Sequence, residues 1–163
     1  MRLWRISRFA AAAQAFDGEG ARQYPGRWNP PGVPVVYTSS SLPLAALELL
    51  VHADVQHLRG PFFAYSVDVP SRLLERPSAA DLPAAWRDVT DPAAARAFGG
   101  AWAASLRSLA LVVPSIVVPT DENAVLNPRH PAFARMEIAA PIPFSFDPRF
   151  GRGDPVENPP RRG

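Results

Sequence analysis

Cysteine is absent from the 163-residue chain, and so is lysine. The first absence excludes disulfide frameworks, thiolate zinc sites and thiol catalysis. The second excludes Schiff-base chemistry, a P-loop phosphate contact and a lysine base, because all 17 basic residues are arginines. Histidine is scarce: His52, His57 and His130 show no HxxxH-like spacing, and no carboxylate loop suited to magnesium or calcium stands out. No metal site is expected. Long hydrophobic runs are also missing, since no stretch approaches the ~20 apolar residues of a membrane span. The run Phe9-Ala10-Ala11-Ala12-Ala13 is bracketed by Arg8 and Gln14 and is shorter than the ~7–15 residues of a signal-peptide core. The expectation is a cytoplasmic protein with no membrane partner.

What is present suits one domain. A chain of this length, 47% hydrophobic, buries roughly 70% of its unfolded surface. Charge is nearly balanced: residues 1–148 carry 13 arginines and 13 acids, and the excess of two lies in residues 149–163. A neutral body with no run of more than two adjacent basic residues argues against direct nucleic-acid binding, which needs a basic face to neutralise phosphates.

Twenty prolines and ten glycines favour short elements joined by defined turns. Residues 3–7 read as a first strand. The segment 17–32, rich in Gly and Pro, reads as a long ordered loop without regular structure. Residues 33–38 are β-branched and aromatic, hence a strand, and Ser39-Ser40-Ser41 supplies caps for a helix over 42–52. Leu44, Leu47 and Val51 mark the inward face of that helix, with Glu48 within or beside the apolar stripe. Residues 63–69 alternate as a half-buried strand. Asp91 caps a helix over 92–107 that Gly99-Gly100 weakens in the middle. Further strands are expected over 109–113, 115–118 and 137–146, with 120–131 a loop. Residues 149–163, dominated by Gly, Pro and Arg, are expected to form a disordered tail outside the 1–148 domain. Strands interleaved with few helices, and no GxGxxG after the first strand, favour a compact α+β domain over a dinucleotide-binding doubly wound sheet.

One loop–strand–helix unit brings together an arginine in a rigid loop (Arg27), a tyrosine on the next strand (Tyr37) and an acid on the next helix (Glu48). The motifs Gly26-Arg27-Trp28-Asn29-Pro30-Pro31-Gly32, Pro34-Val35-Val36-Tyr37-Thr38-Ser39 and Leu44-Ala45-Ala46-Leu47-Glu48 resemble the N-terminal signature of the RES domain family, named for its Arg, Glu and Ser. Val113-Pro114-Ser115-Ile116-Val117-Val118 and Asn127-Pro128-Arg129-His130-Pro131 match its second half. The resemblance spans about residues 2–147. It implies a fold similar to ADP-ribosyltransferases, with a mixed sheet and short helices, and a type II toxin that acts on NAD⁺ as substrate without any cofactor. Family members break the nicotinamide–ribose bond, and some transfer ADP-ribose to protein. The implied partner is an Xre-type antitoxin that covers the active site.

The residues suit that chemistry. Loss of nicotinamide leaves an oxocarbenium-like sugar that a carboxylate stabilises, which Glu48 would do; the bland alternative is an acid at the helix edge that reaches solvent or pairs with an arginine. Arg27 offers paired donors to a pyrophosphate, or else binds backbone carbonyls, and Gly26 beside it would let a ligand approach the chain. Tyr37 would stack on nicotinamide, or else pack as a rim residue. Ser115 and Asn127 are candidate substrate contacts, or else turn and capping residues. Trp28 and Asn29 are expected to support Arg27, and the roles of Asn127 and His130 in the late loop stay open. Two other readings remain: a non-catalytic nucleotide- or antitoxin-binding domain, and an RNA-cleaving toxin using His52 or His130.

Overall fold

The N-terminal strand β1 (Arg2–Ser7) lies near the middle of a seven-stranded sheet in a computed structural model that describes residues 1–52, 58 and 60–151. The other strands are β2 (Val36–Ser39), β3 (Phe62–Asp68), β4 (Leu74–Glu75), β5 (Ala110–Pro114), β6 (Glu122–Leu126) and β7 (Ile142–Phe144). They run in the order β4-β5-β6-β2-β1-β3-β7. All pairings are antiparallel except β4 with β5. The expected compact α+β domain with a mixed sheet and short helices is thus the observed one. Among the described residues no helix is long and apolar enough to cross a membrane.

Alternation along the strands gives the sheet two apolar faces. On one, Leu3, Val36, Tyr65, Val67, Val112 and Leu126 pack with Ala15 and Phe16, which follow from the short helix α1 (Ala12–Ala15). On the other, two helices cover different ends of the sheet. Helix α3 (Leu42–His52) places Leu42, Ala45 and Leu49 against Ile6, Phe62 and Ala64. Helix α4 (Ala93–Ser105) places Ala95, Trp102 and Ala103 against Leu111, Val113 and Val125.

Several expectations need correction. Segment 17–32 contains a short helix, α2 (Glu19–Gln23). Gly18 begins it at φ 75°, a conformation glycine adopts without strain, while Asp17 Oδ1 accepts the Glu19 N–H at 2.8 Å and Glu19 pairs with Arg22. Strand β2 starts at Val36, after the turn around Pro30 and Gly32. Residues 115–118 turn instead of extending, because the Ser115 hydroxyl accepts the Val118 N–H at 3.0 Å. Part of the expected loop 120–131 is the central strand β6. Of residues 137–146 only Ile142–Phe144 form a strand, with an isolated bridge from Ile138 to Val67. Helix α4 runs unbroken through Gly99-Gly100. A 3-10 turn (Pro148–Gly151) lies where the tail was expected to begin, with Arg149 paired to Asp147; residues 152–163 of that tail lie outside the described residues, as does His57.

Candidate active site

Between α3 and α4 the sheet floor is made by β2 and β6, whose residues Tyr37, Ser39, Asn123 and Val125 share one face by pleat alternation and register. Two constructions meet over this floor.

The first is the loop that leads into β2. Asn29, fully buried, accepts the Gly26 N–H at 2.9 Å with Oδ1 and donates through Nδ2 to the carbonyls of Ala21 (2.7 Å) and Val33 (3.0 Å). The Tyr37 hydroxyl donates to Asn29 Oδ1 at 2.8 Å and accepts the Trp28 N–H at 2.9 Å. Burial pushes this phenol well above the usual tyrosine range, a rise partly offset by the Trp28 N–H and by the Arg96 and Arg27 guanidinium groups. Arg96 of α4 donates to the carbonyls of Gly26 (2.9 Å) and Pro25 (3.2 Å). The Trp28 indole packs against Trp86 and Phe98. The loop is therefore fixed from three sides, as expected for the supporting roles of Trp28 and Asn29. Gly26 serves differently from expectation: a Cβ there would lie 2.6 Å from the Tyr37 hydroxyl, so the missing side chain makes room for the tyrosine ring, not for a ligand.

Arg27 leaves this loop half-buried. Its Nη1 donates to the carbonyls of Trp86 (2.8 Å) and Asp88 (2.6 Å), while Nε and Nη2 make no hydrogen bond among the described residues. One edge of the guanidinium braces the chain and the other keeps its donors.

The second construction holds Glu48. Leu44 and Ala45 are buried whereas Leu47 (41% exposed) and Val51 (58% exposed) face outward, so the inward stripe expected through 44, 47 and 51 actually follows 44, 45, 48 and 49. This turns the half-buried Glu48 toward the sheet. Glu48 Oε1 accepts from the Ser115 hydroxyl at 2.7 Å and from Asn123 Nδ2 at 2.5 Å. Asn123 Oδ1 accepts in turn from the Ser39 hydroxyl at 2.8 Å. Glu48 Oε2 has no partner among the described residues, and no arginine pairs with this carboxylate there. Half-buried and held to the sheet through Oε1, it does not form, among the described residues, the ion pair that was one alternative.

Of the five candidates, Arg27 and Tyr37 belong to the loop and the strand it leads into, and Glu48 and Ser115 are directly bonded; Asn123, bonded to Glu48, is bonded in turn to Ser39, two residues after Tyr37 on β2. Ser115 is buried, its hydroxyl spanning Glu48 and the Val118 N–H. Asn127 is not brought in. It is buried four residues beyond Asn123, about 13 Å along the strand direction, with Nδ2 on the Ala103 carbonyl at 2.8 Å and Oδ1 on the Arg129 N–H at 3.0 Å. Those bonds tie the end of β6 to α4. His130 accepts the Ala132 N–H through Nδ1 at 3.1 Å, a turn contact, and His52 is exposed at the end of α3. Asn123 was not among the candidates. A polar residue two positions before a buried valine, in a segment otherwise apolar toward Leu126, was the signal that could have found it.

The RES domain profile matches residues 2–147. A Yersinia enterocolitica protein called Toxin Res is 37% identical over 150 residues, covering 91% of this chain and 99% of that protein. A Sphingobium protein called Prs ADP-ribosylating toxin is 35% identical over 155 residues, covering 92% and 96%. Among solved structures, a chain in the crystal structure of the M. tuberculosis MbcT–MbcA toxin–antitoxin complex superposes with a TM-score of 0.71 at 19% identity, over 88% of this chain and 84% of that one. At that identity the likeness is one of fold, and it agrees with the mixed-sheet architecture described above.

Proposed function

The chain belongs to the RES domain family, and from that premise we propose that it is the toxin of a toxin–antitoxin pair, consuming NAD⁺ by breaking the nicotinamide–ribose bond. The observation that carries this reading is a carboxylate held on the sheet face by two donors to one oxygen, with its second oxygen uncommitted.

The bond from ribose C1′ to the nicotinamide nitrogen breaks with its electron pair moving to the ring, which leaves as neutral nicotinamide. Positive charge grows on C1′ and the ring oxygen. A fixed negative charge lowers the energy of that state more than it lowers the ground state, and in a site sheltered from water its effect is enlarged. Glu48 supplies the charge. Arg27, with donors left over after bracing the chain, suits the pyrophosphate. Tyr37 has its hydroxyl committed to the loop, so its contribution to the nicotinamide end is the ring face. An acceptor then bonds to C1′ and releases its proton. Water gives ADP-ribose, phosphate gives a ribosyl phosphate, and a protein side chain gives ADP-ribosylation.

A partner antitoxin, of the Xre type the family resemblance implies, would block this chemistry by covering the cleft. The exposed Leu47 and Val51 on the helix that bears Glu48 offer it apolar area. An RNA-cleaving role finds less support, because His52 and His130 lie on separate elements and His130 is engaged in its own turn.

The test is to incubate purified protein with NAD⁺ and identify products by mass. Wild type is expected to release nicotinamide, and folded Glu48→Ala to lose at least about 100-fold in rate, an oxyanion-hole-sized effect of opposite charge. Unchanged NAD⁺ with folded wild type, or unchanged turnover in Glu48→Ala, would reject the reading.

A further inference from the structure

We propose that Asn123, keyed by Ser39, is a positioning residue that aims the Glu48 carboxylate. The proposal rests on the NAD⁺-cleaving role given to Glu48 above and adds the device that sets its orientation.

A carboxylate has two equivalent oxygens and a freely rotating end, so a lone hydrogen bond leaves it two ways of pointing. Here both available donors converge on Oε1. Each has the direction of its proton settled by a third group. The Ser115 hydroxyl already accepts the Val118 N–H, which leaves its own proton for Glu48. The carboxylate takes donors alone when ionised, so Asn123 must turn Nδ2 toward it, and this leaves Oδ1 for the Ser39 hydroxyl to donate to. The two donors approach from different elements, Ser115 from the turn after β5 and Asn123 from β6. Between them they fix the plane of the carboxylate as well as its distance.

The backbone makes Asn123 a rigid platform. It pairs in register with Ser39 on one side and with Val113 on the other, so the residue lies on an internal strand of the sheet, flanked by β5 and β2. Sites built on strands hold geometry better than sites on loops. Ser39 itself is buried and faces Trp4 of β1 across the next pairing, so the key is packed in place. Oε2 is then the oxygen presented to the ribosyl cation. Asn123 does not touch the reacting atoms in this scheme; it acts through Glu48.

The experiment measures initial rates of nicotinamide release against NAD⁺ concentration, with thermal unfolding alongside, for the full chain bearing Asn123→Ala, Asn123→Asp or Ser39→Ala. Asn123→Ala removes one charge-assisted donor, and kcat is expected to fall about 10–100-fold with KM within about 3-fold. Asn123→Asp keeps the shape and the bond from Ser39 but sets an oxygen against Glu48 Oε1. Two carboxyl groups at that distance repel or share a proton, so this near-isostere is expected to be at least as slow as the alanine variant. Ser39→Ala leaves Asn123 Oδ1 without its donor, so the amide is held by Glu48 alone, and is expected to lose less, about 3–10-fold. A residue that merely packed would give the reverse order, with aspartate milder than alanine. That reversed order, a loss confined to KM, or rates that follow melting temperature alone would overturn the proposal. If Asn123→Ala fails to fold, the aspartate and Ser39→Ala variants carry the same comparison. If folded wild type leaves NAD⁺ intact, the functional reading fails instead. The order is then read from growth arrest on expression: aspartate and alanine milder in toxicity than Ser39→Ala sustains the positioning role, and equal toxicity of all three with wild type overturns it.

Discussion

Replacing Gly99 by alanine should destabilise the protein although alanine is the better helix former. An ideal Cβ at this position lies 1.9 Å from the Trp28 carbonyl oxygen and 2.7 Å from its carbonyl carbon. A comfortable carbon–oxygen contact is roughly 3.3 Å, so helix and loop would have to part by about 1.4 Å. Trp28 has little room to retreat: its N–H is bonded to the Tyr37 hydroxyl, the Asn29 side chain ties the following turn, and its indole is buried against Trp86 and Phe98. Overpacking of this kind costs about 1–3 kcal/mol, and more where backbone must move; the gain in helix propensity returns about 1 kcal/mol. Because the clash is with backbone, a gross cost of about 3–4 kcal/mol is expected here, for a net loss of about 2–3 kcal/mol, or roughly 5–10 °C in a chain of this size. Gly100 is the control on the same turn. Its Cβ would meet ring carbons of Pro30 at 2.9 and 3.0 Å, which a small repuckering relieves, so the change is expected within about 1 kcal/mol of neutral. Gly20, inside α2 with no atom within 4 Å of a Cβ, should gain about 0.5–1 kcal/mol on becoming alanine. Thermal melts followed by circular dichroism rank the three. A Gly99→Ala protein as stable as wild type, or Gly100→Ala as damaging as Gly99→Ala, would refute the argument from the Trp28 carbonyl.

Asn127→Ala strands the Ala103 carbonyl in the interior and removes the partner of the part-buried Arg129 N–H, and is expected to cost about 2 kcal/mol in denaturant unfolding, with turnover of the folded protein within about 3-fold; a folded variant without turnover would instead make Asn127 a substrate contact. Acid should weaken the fold in a defined window. Hydrogen bonds from Arg22, Arg2 and Arg107 hold Glu19, Asp68 and Glu75 below the usual carboxylate range, Glu19 at about 2. A depressed pKa contributes stability above the unfolded value and loses it as pH falls toward the folded one, so the melting temperature should be flat from pH 8 to 5 and decline below about 4.5; a flat profile down to pH 3 would contradict these pairings. At the alkaline end the sign reverses for Tyr37, whose raised pKa removes stability as pH climbs beyond 10.

The elements that could be read from sequence are those in which local pattern and tertiary demand agree. Strand β3 alternates large apolar with small or polar residues, and the sheet buries both of its faces, Tyr65 and Val67 on one side and Phe62 and Ala64 on the other. Helix α3 has a serine before it whose hydroxyl accepts the Leu44 N–H at 3.2 Å, and it spans 42–52 as its composition indicates. Its rotation was another matter. Apolar residues surround the helix at 42, 44, 45, 46, 47, 49, 50 and 51, so no stripe is singled out, and the sheet chose 44, 45 and 49. Residues 115–118 and 120–131 were exchanged in role for a related reason. Ile116, Val117 and Val118 carry strand propensity, yet a strand exists by pairing, and the bonds of Ser115 to Val118 and to the Asp121 carbonyl turn the chain there. Polar Glu122 and Asn123 then enter the sheet as the start of β6, between β5 and β2.

That last exchange explains why half of the candidate site was legible and half was not. An acid in an apolar helix, an arginine between glycine and tryptophan, and a tyrosine on a strand each stand out against their neighbours. Serine and asparagine do not, because they are the ordinary residues of turns and caps. Ser115 and Asn123 send protons to Glu48, Ser39 donates to Asn123 behind it, and Asn29 accepts the Tyr37 proton, while Asn127, the same residue type in an equally plausible motif, donates to a helix carbonyl instead. Residue type alone cannot separate these uses. What separates them is the face of β6: Asn123 shares its face with Val125 and looks toward Glu48, whereas Asn127 lies beyond the last strand residue, where the chain turns back under α4. Register is thus the variable that assigns function along this strand, and a one-residue slip would exchange the faces of every residue in it. Paired with 36–39 in the observed register, residues 122–126 place an amide opposite Ser39; that it also lies under Glu48 follows from the rotation of α3, which the sheet sets.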